Sequence, residues 1–577
     1  MTPTPAAPSG SAPRRVGRSA HLARLLALAG LCAVLSPEAL AATAGCAYQR
    51  IDVDKYGHQD LVNPPSISSR NGALETVLAT RYTDPATTRI AGCPVTLRTY
   101  NGQLVGPTLR VKPGDVMDIQ LQNQLPLETP NQVAAQFQQE AQNAFLATQP
   151  ASFNTTNLHT HGLHVSPTGN SDNVLLAIAP GSSFPYEIKL PANHTRGSYW
   201  YHAHTHGSTS IQVGSGMAGA LIVEDDEAKI PAALREANKR EKVMVFQTIL
   251  YDTDGRLDDI TALFPSPSKA AQCLQPANRK TWNCSLRRVT INGQIVPRIR
   301  MRPGEVQRWR MIDTAFRESF NIALEGHALH EIALDGIYLG RIDTWPADTT
   351  TGIELQPGYR SDVLVKASAK RGTYKLLDLG TPLGRAISNV AEPRNVLAEV
   401  IVEGDPIDMK LPTQAEMAPL APFPGVDLTT SADQVQQVAF KLGQDVQGQK
   451  NYFQVNYQAF SHTHVRQVQL NDTDLWSVST VGDPPGVPNG IPPAPHVFHI
   501  HVNPFQVQQA RPDGKNALVW KDTVLIPAGN VVDLYTRYLD YIGKFVMHCH
   551  ILDHEDLGMM EVVEVVDAAN GVTTGHH

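Results

Sequence analysis

The stretch GKFVMHCHILDHEDLGM, residues 543–559, combines the alternation of a β-strand with a high density of metal-ligand side chains. Its candidate ligands are His548, Cys549, His550, His554 and Met559. A cysteine with two histidines and a weak methionine is the ligand set of electron-transfer copper sites. Because side chains alternate along a strand, Cys549 faces away from both of its histidine neighbours. The stretch therefore predicts a β fold with metal sites on both faces of one strand.

Three further histidine motifs lie outside this stretch, beginning at His159, His202 and His496. Residues i and i+2 of a strand share a face at roughly 6–7 Å, so a His-x-His pair can present two imidazoles to neighbouring ions. Zinc sites take about four ligands, which is too few to use all of these side chains. We therefore expect a metal cluster at a domain interface. The pairs are His159/His161, His202/His204, His499/His501 and His548/His550.

The chain repeats itself in two ways. PTLRVKPGDV at 107–116 returns as PRIRMRPGEV at 297–306, 190 residues later, and each copy predicts a hairpin at Pro-Gly. GSYWYHAH at 197–204 resembles GKFVMHCH at 543–550, and each is followed by Gly-Met and an apolar strand. Residues 374–379, at the corresponding place in the middle of the chain, have no His-x-His. These echoes predict an all-β protein of three consecutive, antiparallel Greek-key β-sandwich domains, with metal ligands in the first and third.

Composition shifts divide the chain further. Helices are expected at Gln132–Ala147 and Pro231–Lys242, and the proline-rich stretch from Glu403 to Gly425 predicts a linker. The role of 132–147 is left open, as substrate cover or as padding of the first domain. The expected boundaries are 1–41 for a signal peptide, 42–228 for the first domain, 229–402 for a second domain without copper, 403–430 for the linker, 431–567 for the third domain and 568–577 for a tail.

The N-terminus has the composition of an export signal. Arginines precede an apolar run at Leu25–Leu35, and Ala39-Leu40-Ala41 fits a cleavage site. We expect an exported protein, periplasmic or secreted, through either the general or the twin-arginine route. Export permits disulfides, and the expected pairing, one of three possible connectivities, is Cys46–Cys93 and Cys273–Cys284.

The overall charge argues against polyanionic partners. The chain has 48 basic and 55 acidic residues, a net charge of −7, and no basic tract. This balance does not favour nucleic-acid binding. No apolar run after residue 40 suggests a membrane span in the mature chain. A monomer is expected.

Taken together, the motifs resemble the multicopper oxidase family, in particular its laccase-like members built from three cupredoxin sandwiches. The resemblance extends from about Arg70 to Asp567. It implies four copper ions: one type 1, one type 2 and a type 3 pair. By this resemblance the type 1 ligands are His496, Cys549 and His554 with Met559 axial, the type 2 ligands are His159 and His499, and the type 3 ligands are His161, His202, His204, His501, His548 and His550.

The same resemblance implies how electrons and protons move. Cys549 passes electrons through His548 and His550, and carboxylates at Glu555 and Asp172 relay protons. Asp172 aligns only with a small insertion. The chain departs from the family at Thr160, where an aromatic residue is usual, so the packing beside the cluster is not implied by the resemblance.

The expected reaction couples four one-electron oxidations of a small reducing substrate, most simply a phenol or aromatic amine, to reduction of molecular oxygen to water. One alternative is a periplasmic oxidase of cuprous or manganous ions. The chain has only 11 methionines and no methionine cluster, Met409 and Met417 in the linker coming nearest to one, which favours the organic substrate. A second alternative is a copper carrier without turnover, which oxygen uptake with a phenolic dye would distinguish.

Overall fold

A computed structural model of the chain describes residues 53–128, 153–251, 287–382, 384–387, 396–423, 426–444, 451–486 and 490–567. All of these residues belong to one unit, Gly45–His577. The expected signal peptide, the expected helix at 132–147 and the tail lie outside the described residues, as do three of the four cysteines in the predicted disulfides. The domain boundaries and the disulfide pairing stay predictions.

The described chain is almost entirely β-structure, arranged as three successive sandwiches of two sheets each. In the first sandwich one sheet contains, in spatial order, Ser66–Ser68, Gly106–Val111, Ala218–Val223, Gly197–His202 and His159–His161, and the other contains Arg98–Tyr100, Ala73–Tyr82, Val116–Asn123 and Ser183–Lys189. A separate two-stranded ribbon joins Arg89–Ile90 to Cys93–Pro94.

The second sandwich repeats this plan with larger sheets. One sheet contains Arg287–Ile291, Lys242–Leu250, Val306–Asp313, Arg360–Lys366, Leu329–Leu334 and Ile337–Trp345, and the other contains Arg298–Met301, Ala398–Val402, Gly372–Asp378, Phe320–Leu324 and Ile353–Leu355.

The third sandwich follows the same order. One sheet contains Asn451–Val455, Gln434–Gln444, Thr473–Val481, Val531–Arg537, Phe505–Ala510 and Asn516–Lys521, and the other contains Val465–Gln469, Met560–Val566, Gly543–Cys549, His496–Ile500 and Thr523–Ile526. The predicted fold class of three cupredoxin-like sandwiches is confirmed.

The predicted hairpins at the Pro-Gly turns are wrong. Gly106–Val111 and Val116–Asn123 belong to different sheets, so the turn carries the chain across the sandwich. Asp115 N–H donates to the Lys112 carbonyl at 3.0 Å, and Gly114 adopts a φ of 90°, which glycine tolerates without steric cost. The second copy, at 297–306, makes the same crossing. A tight turn of this kind does not specify which strand its neighbours will pair with.

The expectation of purely antiparallel sheets is also wrong, and the crossing explains why. The two strands that flank the Pro-Gly turn lie in different sheets and so cannot pair with each other. The first of them pairs instead with a strand much later in the chain, and that pair is parallel. Thus Gly106–Val111 runs parallel to Ala218–Val223, and Val465–Gln469 runs parallel to Met560–Val566. The second sandwich has the equivalent parallel pair, Arg298–Met301 beside Ala398–Val402, so all three sandwiches share this feature of their topology.

Burial differs between strands in a way that locates the site. Ala73–Tyr82 alternates between buried and more exposed residues, as a strand with one solvent-facing side does. Gly197–His202, in contrast, is buried at every position. Its Trp200 packs against Val245 and Ile312 of the second sandwich. The histidine-bearing sheets are therefore covered on both faces.

Helices are few and short. The expected helix at Pro231–Lys242 exists only as Ala232–Asn238, because Lys242 already begins a strand. In the part of the chain that the structure describes, no helix exceeds seven residues, so none can cross a bilayer. The α-helices are Val53–Tyr56, Thr209–Ser215, Ala232–Asn238, Gln414–Met417 and Leu552–Asp556, with 3₁₀ turns at Ala418–Leu420 and Leu428–Thr430.

The expected linker packs on the second sandwich. Ile407 N–H donates to the Pro303 carbonyl at 2.9 Å, and Thr413 caps the helix that follows it. Met409 and Met417 are 8% and 0% exposed within one apolar cluster of this sandwich. These methionines therefore do not form an accessible metal-binding surface.

Candidate metal centre

Four neighbouring strands bring the histidine motifs together. In the first sandwich His159 lies opposite His202 in the register of adjacent strands. In the third, His499 lies opposite His548, and Phe498 lies opposite Cys549. The first and the third sandwich therefore each present two His-x-His pairs side by side.

All eleven predicted histidine and cysteine ligands fall into close groups. Within each group the possible ligand atoms lie within 4.8 Å of one another, and every member is buried. The groups are His159/His161/His499, His161/His202/His550, His204/His501/His548 and His496/Cys549/His554. Three groups contain imidazoles only, with His161 shared by two of them, and one contains the thiol.

The group with the thiol, here called the thiolate triangle (His496, Cys549 and His554), lies in the third sandwich. Cys549 Sγ is 3.5 Å from His496 Nδ1 and 3.8 Å from His554 Nδ1, and the two Nδ1 atoms are 3.2 Å apart. Three donor atoms thus face a common point. Met559 is fully buried, and its carbonyl accepts from Cys549 N–H at 3.0 Å. Its axial role stays a prediction.

The other eight imidazoles, here called the histidine cluster, join the first sandwich to the third. The His159 ring stacks on that of His501 and the His161 ring stacks on that of His499, both with centroids 3.9 Å apart. His204 Nε2 lies 3.1 Å from His548 Nε2 across the same interface. The cluster comprises His159, His161, His202, His204, His499, His501, His548 and His550.

The hydrogen bonds of the histidine cluster suit a metal. His202 Nδ1 contacts its neighbouring carbonyl at 2.9 Å, and His499 Nδ1 contacts the Asp522 carbonyl at 2.8 Å. Among the described residues, the Nε2 atoms of His159, His202 and His499 are buried without a hydrogen-bond partner. Metal-bound imidazoles typically have one nitrogen held from outside and the other on the metal.

Protonation and donor type also fit copper. Burial, followed by repulsion between the imidazoles, lowers the pKa of His204 and His548 well below its usual range. Neutral imidazoles keep the lone pair that a metal needs. Burial raises the pKa of the Cys549 thiol to about 12, so the thiolate form depends on a bound cation. Imidazoles with one thiolate match copper better than calcium or magnesium, which take oxygen ligands.

Asp172 lies directly against the first motif. Its Oδ2 is 3.0 Å from His159 Nδ1, and its Oδ1 accepts from Thr160 N–H at 2.9 Å. Burial raises its pKa to about 7, an effect that a bound cation would oppose. Asp172 can therefore orient His159 and exchange a proton beside it.

Glu555 is buried between the sandwiches and is not a surface charge. Its Oε2 is 3.1 Å from His548 Nδ1, and its Oε1 is 3.4 Å from His204 Nδ1. The Thr209 hydroxyl donates to Oε1 at 3.1 Å. Burial raises the pKa of Glu555 well above its usual range. Its carboxyl group touches one imidazole from each sandwich.

Sequence reasoning missed Asp522, which contacts the histidine cluster from the third sandwich. Its Oδ1 is 3.1 Å from His161 Nε2, and it accepts from Arg360 Nη1 of the second sandwich at 2.7 Å. Arg360 is 1% exposed. The sequence did contain a signal, because the ionisable residues Lys521 and Asp522 lie between two apolar runs. Charged residues in such a place are buried only when they are paired, so a partner could have been expected.

An aromatic ring lies beside the cluster although Thr160 is not aromatic. The Trp200 indole stacks on His202 with centroids 4.2 Å apart, and it lies 5.0 Å from His161. Thr160 is itself fully buried. The packing that the sequence left open is thus made by the strand Gly197–His202.

Fold and ligand geometry together define a three-domain cupredoxin protein with a thiolate triangle and an interdomain imidazole cluster. Three family models described as multicopper oxidase match residues 431–569, 138–228 and 265–393, together more than half of the chain. The chain belongs to the multicopper oxidase family, and is thus a copper-containing oxidoreductase that uses oxygen.

Individual relatives agree with this assignment. A laccase from Bacillus subtilis (strain 168) is 24% identical over 521 residues, covering 82% of this chain and 91% of the relative. A multicopper oxidase from Staphylococcus haemolyticus is 24% identical over 485 residues, covering 81% and 83%. A solved structure of a multicopper oxidase from Campylobacter jejuni, described as a metallo-oxidase, has a TM-score of 0.67 and 20% identity, covering 90% of this chain and 98% of that one.

Proposed function

We propose that this protein is a laccase-type oxidase that holds four copper ions and oxidises phenols or aromatic amines. The observation that carries the proposal is the division of the eleven ligands into one thiolate triangle and three imidazole groups. Copper bound at these positions would supply one-electron chemistry at the triangle and four-electron reduction of oxygen to water at the cluster. The type 1 site is assigned to the triangle, and the type 2 and type 3 sites to the cluster.

The protein provides a short covalent path between the two sites. Cys549 belongs to the triangle, and the adjacent His548 and His550 belong to the cluster. A single peptide unit therefore separates the thiolate from each imidazole. His554 is 4% exposed whereas His496 and Cys549 are 0% exposed, so His554 is the triangle residue nearest to bulk solvent. We assign electron uptake from substrate to His554.

Two buried carboxyl groups are positioned to transfer protons to and from the cluster. Glu555 contacts His204 and His548, and Asp172 contacts His159. Each carboxyl group contacts the Nδ1 atom of a cluster imidazole at 3.0–3.4 Å, which is close enough for a proton to pass directly or through one water. The roles of Glu555 and Asp172 as proton relays form part of the proposal.

The surroundings of His554 support an organic substrate. All ten methionines of the described residues are buried, and thus no thioether is displayed for a cuprous ion. Of the carboxylates flanking His554, Asp553 is paired with Arg317 and Glu555 faces the cluster. The Phe453 ring lies 4.9 Å from that of His554. An aromatic wall suits a planar reductant better than a hydrated metal ion.

Steady-state oxygen uptake by the copper-loaded protein tests the proposal, with a phenol, Cu(I) and Mn(II) compared side by side. We expect the highest kcat/KM on the phenol and a blue absorption band that the phenol bleaches under anaerobic conditions. The alternative of a metal oxidase, suggested by the description of the Campylobacter jejuni protein, predicts the reverse ranking. A blue protein that consumes no oxygen with any of the three would be a copper carrier.

Export completes the proposal. We propose that residues 1–41 are removed and that the mature protein, a monomer in the periplasm or outside the cell, contains disulfides. The arginine-rich start, the apolar run at 25–35 and Ala39-Leu40-Ala41 support this. Mass spectrometry of the exported protein should give Ala42 as the first residue.

A further inference from the structure

The second sandwich, which carries no predicted copper ligand, sends one buried loop to the thiolate triangle. This loop, residues 314–319, follows the strand Val306–Asp313 and is buried at every position. The Phe316 carbonyl accepts from Leu552 N–H at 3.0 Å, on the helix that carries His554. The loop therefore contacts the element that positions a ligand of the triangle.

The loop is also anchored at both ends. The Thr314 hydroxyl donates to the Phe246 carbonyl at 3.0 Å, and the Ser319 hydroxyl donates to Gln356 Oε1 at 2.6 Å. These bonds hold the intervening residues in the second sandwich while they reach the third. A side chain from this loop thus has a defined position relative to the triangle.

Arg317 brings a full positive charge to this position. Its Nη1 is 2.5 Å from Asp553 Oδ2, and Arg317 and Asp553 are 8% and 3% exposed. A guanidinium remains charged at any physiological pH. Charges with little solvent around them act over longer distances than surface charges do, because neither water nor salt screens them fully.

The ion pair lies directly beside one ligand of the triangle. Asp553 immediately precedes His554 on the helix Leu552–Asp556, and Arg317 reaches this carboxylate from the second sandwich. The positive and the negative charge of the pair therefore act on the triangle in opposite directions.

We propose that Arg317 raises the reduction potential of the type 1 copper. This inference rests on the proposed function, which assigns a copper ion to the triangle. Reduction adds one electron to the site, supplied by the reducing substrate, so the positive charge of the site falls by one unit. A fixed cation in a poorly solvated loop favours the less positive, reduced form. A domain without copper would thus set how strongly the third domain oxidises its substrate.

The test is a redox titration of the copper-loaded, full-length protein, followed by its blue absorption band. Arg317→Met should lower the potential enough to change the ratio of reduced to oxidised protein at least tenfold at a fixed potential, which is ~59 mV for one electron. Arg317→Lys should keep most of the wild-type value. Asp553→Asn should shift the potential upward, because it removes the opposing charge.

Arg341→Met is the matched control, since Arg341 forms an ion pair with Asp343 in the same sandwich at 2.9 Å. It should leave the potential unchanged. A blue Arg317→Met protein with the wild-type potential would overturn the inference, as would equal shifts in the Met and Lys variants. If Arg317→Met does not fold, the Asp553→Asn variant is the test: a higher potential than that of the wild type supports the inference, and an unchanged or lower potential overturns it. Loss of the blue band in the wild-type protein would instead refute the copper assignment itself.

Discussion

The thiolate triangle and the histidine cluster are built in different ways. All three ligands of the triangle belong to the third sandwich, and Cys549 and His554 are separated by only one turn and the start of a short helix. The cluster takes four imidazoles from the first sandwich and four from the third. The ligands of the triangle thus come from a single domain, whereas those of the cluster come together only when two domains dock.

The side chains that surround the two sites also differ in polarity. The triangle is packed by apolar and aromatic side chains, with the Phe440 ring 5.7 Å from His496 and the Phe453 ring 4.9 Å from His554. The cluster is surrounded by acceptors, such as Asp172, Glu555 and Asp522. A cluster of several cations needs compensating charge, whereas a single electron-transfer ion is tuned by a low-dielectric surrounding.

The largest loss of activity should come from replacing Cys549, the residue that joins the two sites. Cys549→Ser replaces a thiolate donor with a hydroxyl, which should abolish the blue band and substrate oxidation. The cluster should still bind its ions, so copper content should fall from about four to about three per chain. The buried hydroxyl should cost about 1–3 kcal/mol of stability. Absorption spectroscopy and metal analysis of the same sample measure both effects, and a blue, active variant would refute the assignment.

The next variant should affect the cluster and spare the triangle. Asp522→Asn removes the nearer of the two carboxylates beside the buried Arg360 and leaves only Asp335, 3.9 Å away, which should cost up to about 3–5 kcal/mol. It also removes the contact to His161, so copper affinity of the cluster should drop about 10–100-fold. Dialysis against a chelator should extract cluster copper while the blue band remains. Denaturant unfolding measures the stability change.

Glu354→Gln is the control for this variant. It breaks the more exposed ion pair with Arg385, 2.8 Å long, in the second sandwich. Surface pairs contribute about 0–1 kcal/mol, so stability and copper content should hardly change. Equal copper loss in both variants would mean that Asp522 has no special role at the cluster.

The contrast between the sites also explains what the sequence could predict. The two-residue period of a strand determines which side chains share a face, and so the separation of Cys549 from His548 and His550 follows from the chain alone. The repeat of the His-x-His strands likewise predicted that the first and third sandwiches are related. Each of these inferences depends on the pattern of side chains within single strands.

Strand pairings and contacts between domains could not be predicted from the sequence. The Pro-Gly turn at 113–114 was expected to close a hairpin, but sheet pairing is decided by strands about 100 residues away. Arg360 and Arg317 belong to a domain without metal motifs, so no local pattern marks them as neighbours of the sites. Their partners, Asp522 and Asp553, are more than 150 residues away in sequence.

A third variant should separate electron uptake from oxygen reduction. Glu555→Gln removes the carboxyl group that contacts His204 and His548 but leaves the triangle intact. A phenol should bleach the blue band under anaerobic conditions at the wild-type rate. Reoxidation by oxygen should slow by about 10²–10⁴-fold, the usual contribution of a positioned proton donor. Stopped-flow absorption follows both steps.

Asp556→Asn is the neighbouring control for the proton relay. Asp556 accepts from the backbone of Gly207 and Ser210, at 2.7 and 2.8 Å, and therefore ties two helices together. We expect lower stability with near-normal reoxidation of the folded protein. Normal reoxidation in Glu555→Gln would exclude Glu555 from the proton route.

The smallest expected change is a shift in the reduction potential of the triangle in the variant Met559→Leu. Met559 is buried beside Cys549, and Met559→Leu keeps its volume while removing the thioether. Loss of a weak axial donor destabilises the oxidised ion more than the reduced one, so the potential should rise by about one tenfold step, ~59 mV. The blue band and the cluster copper should persist. An unchanged or lower potential in the redox titration would mean that Met559 is packing for the triangle and not a ligand.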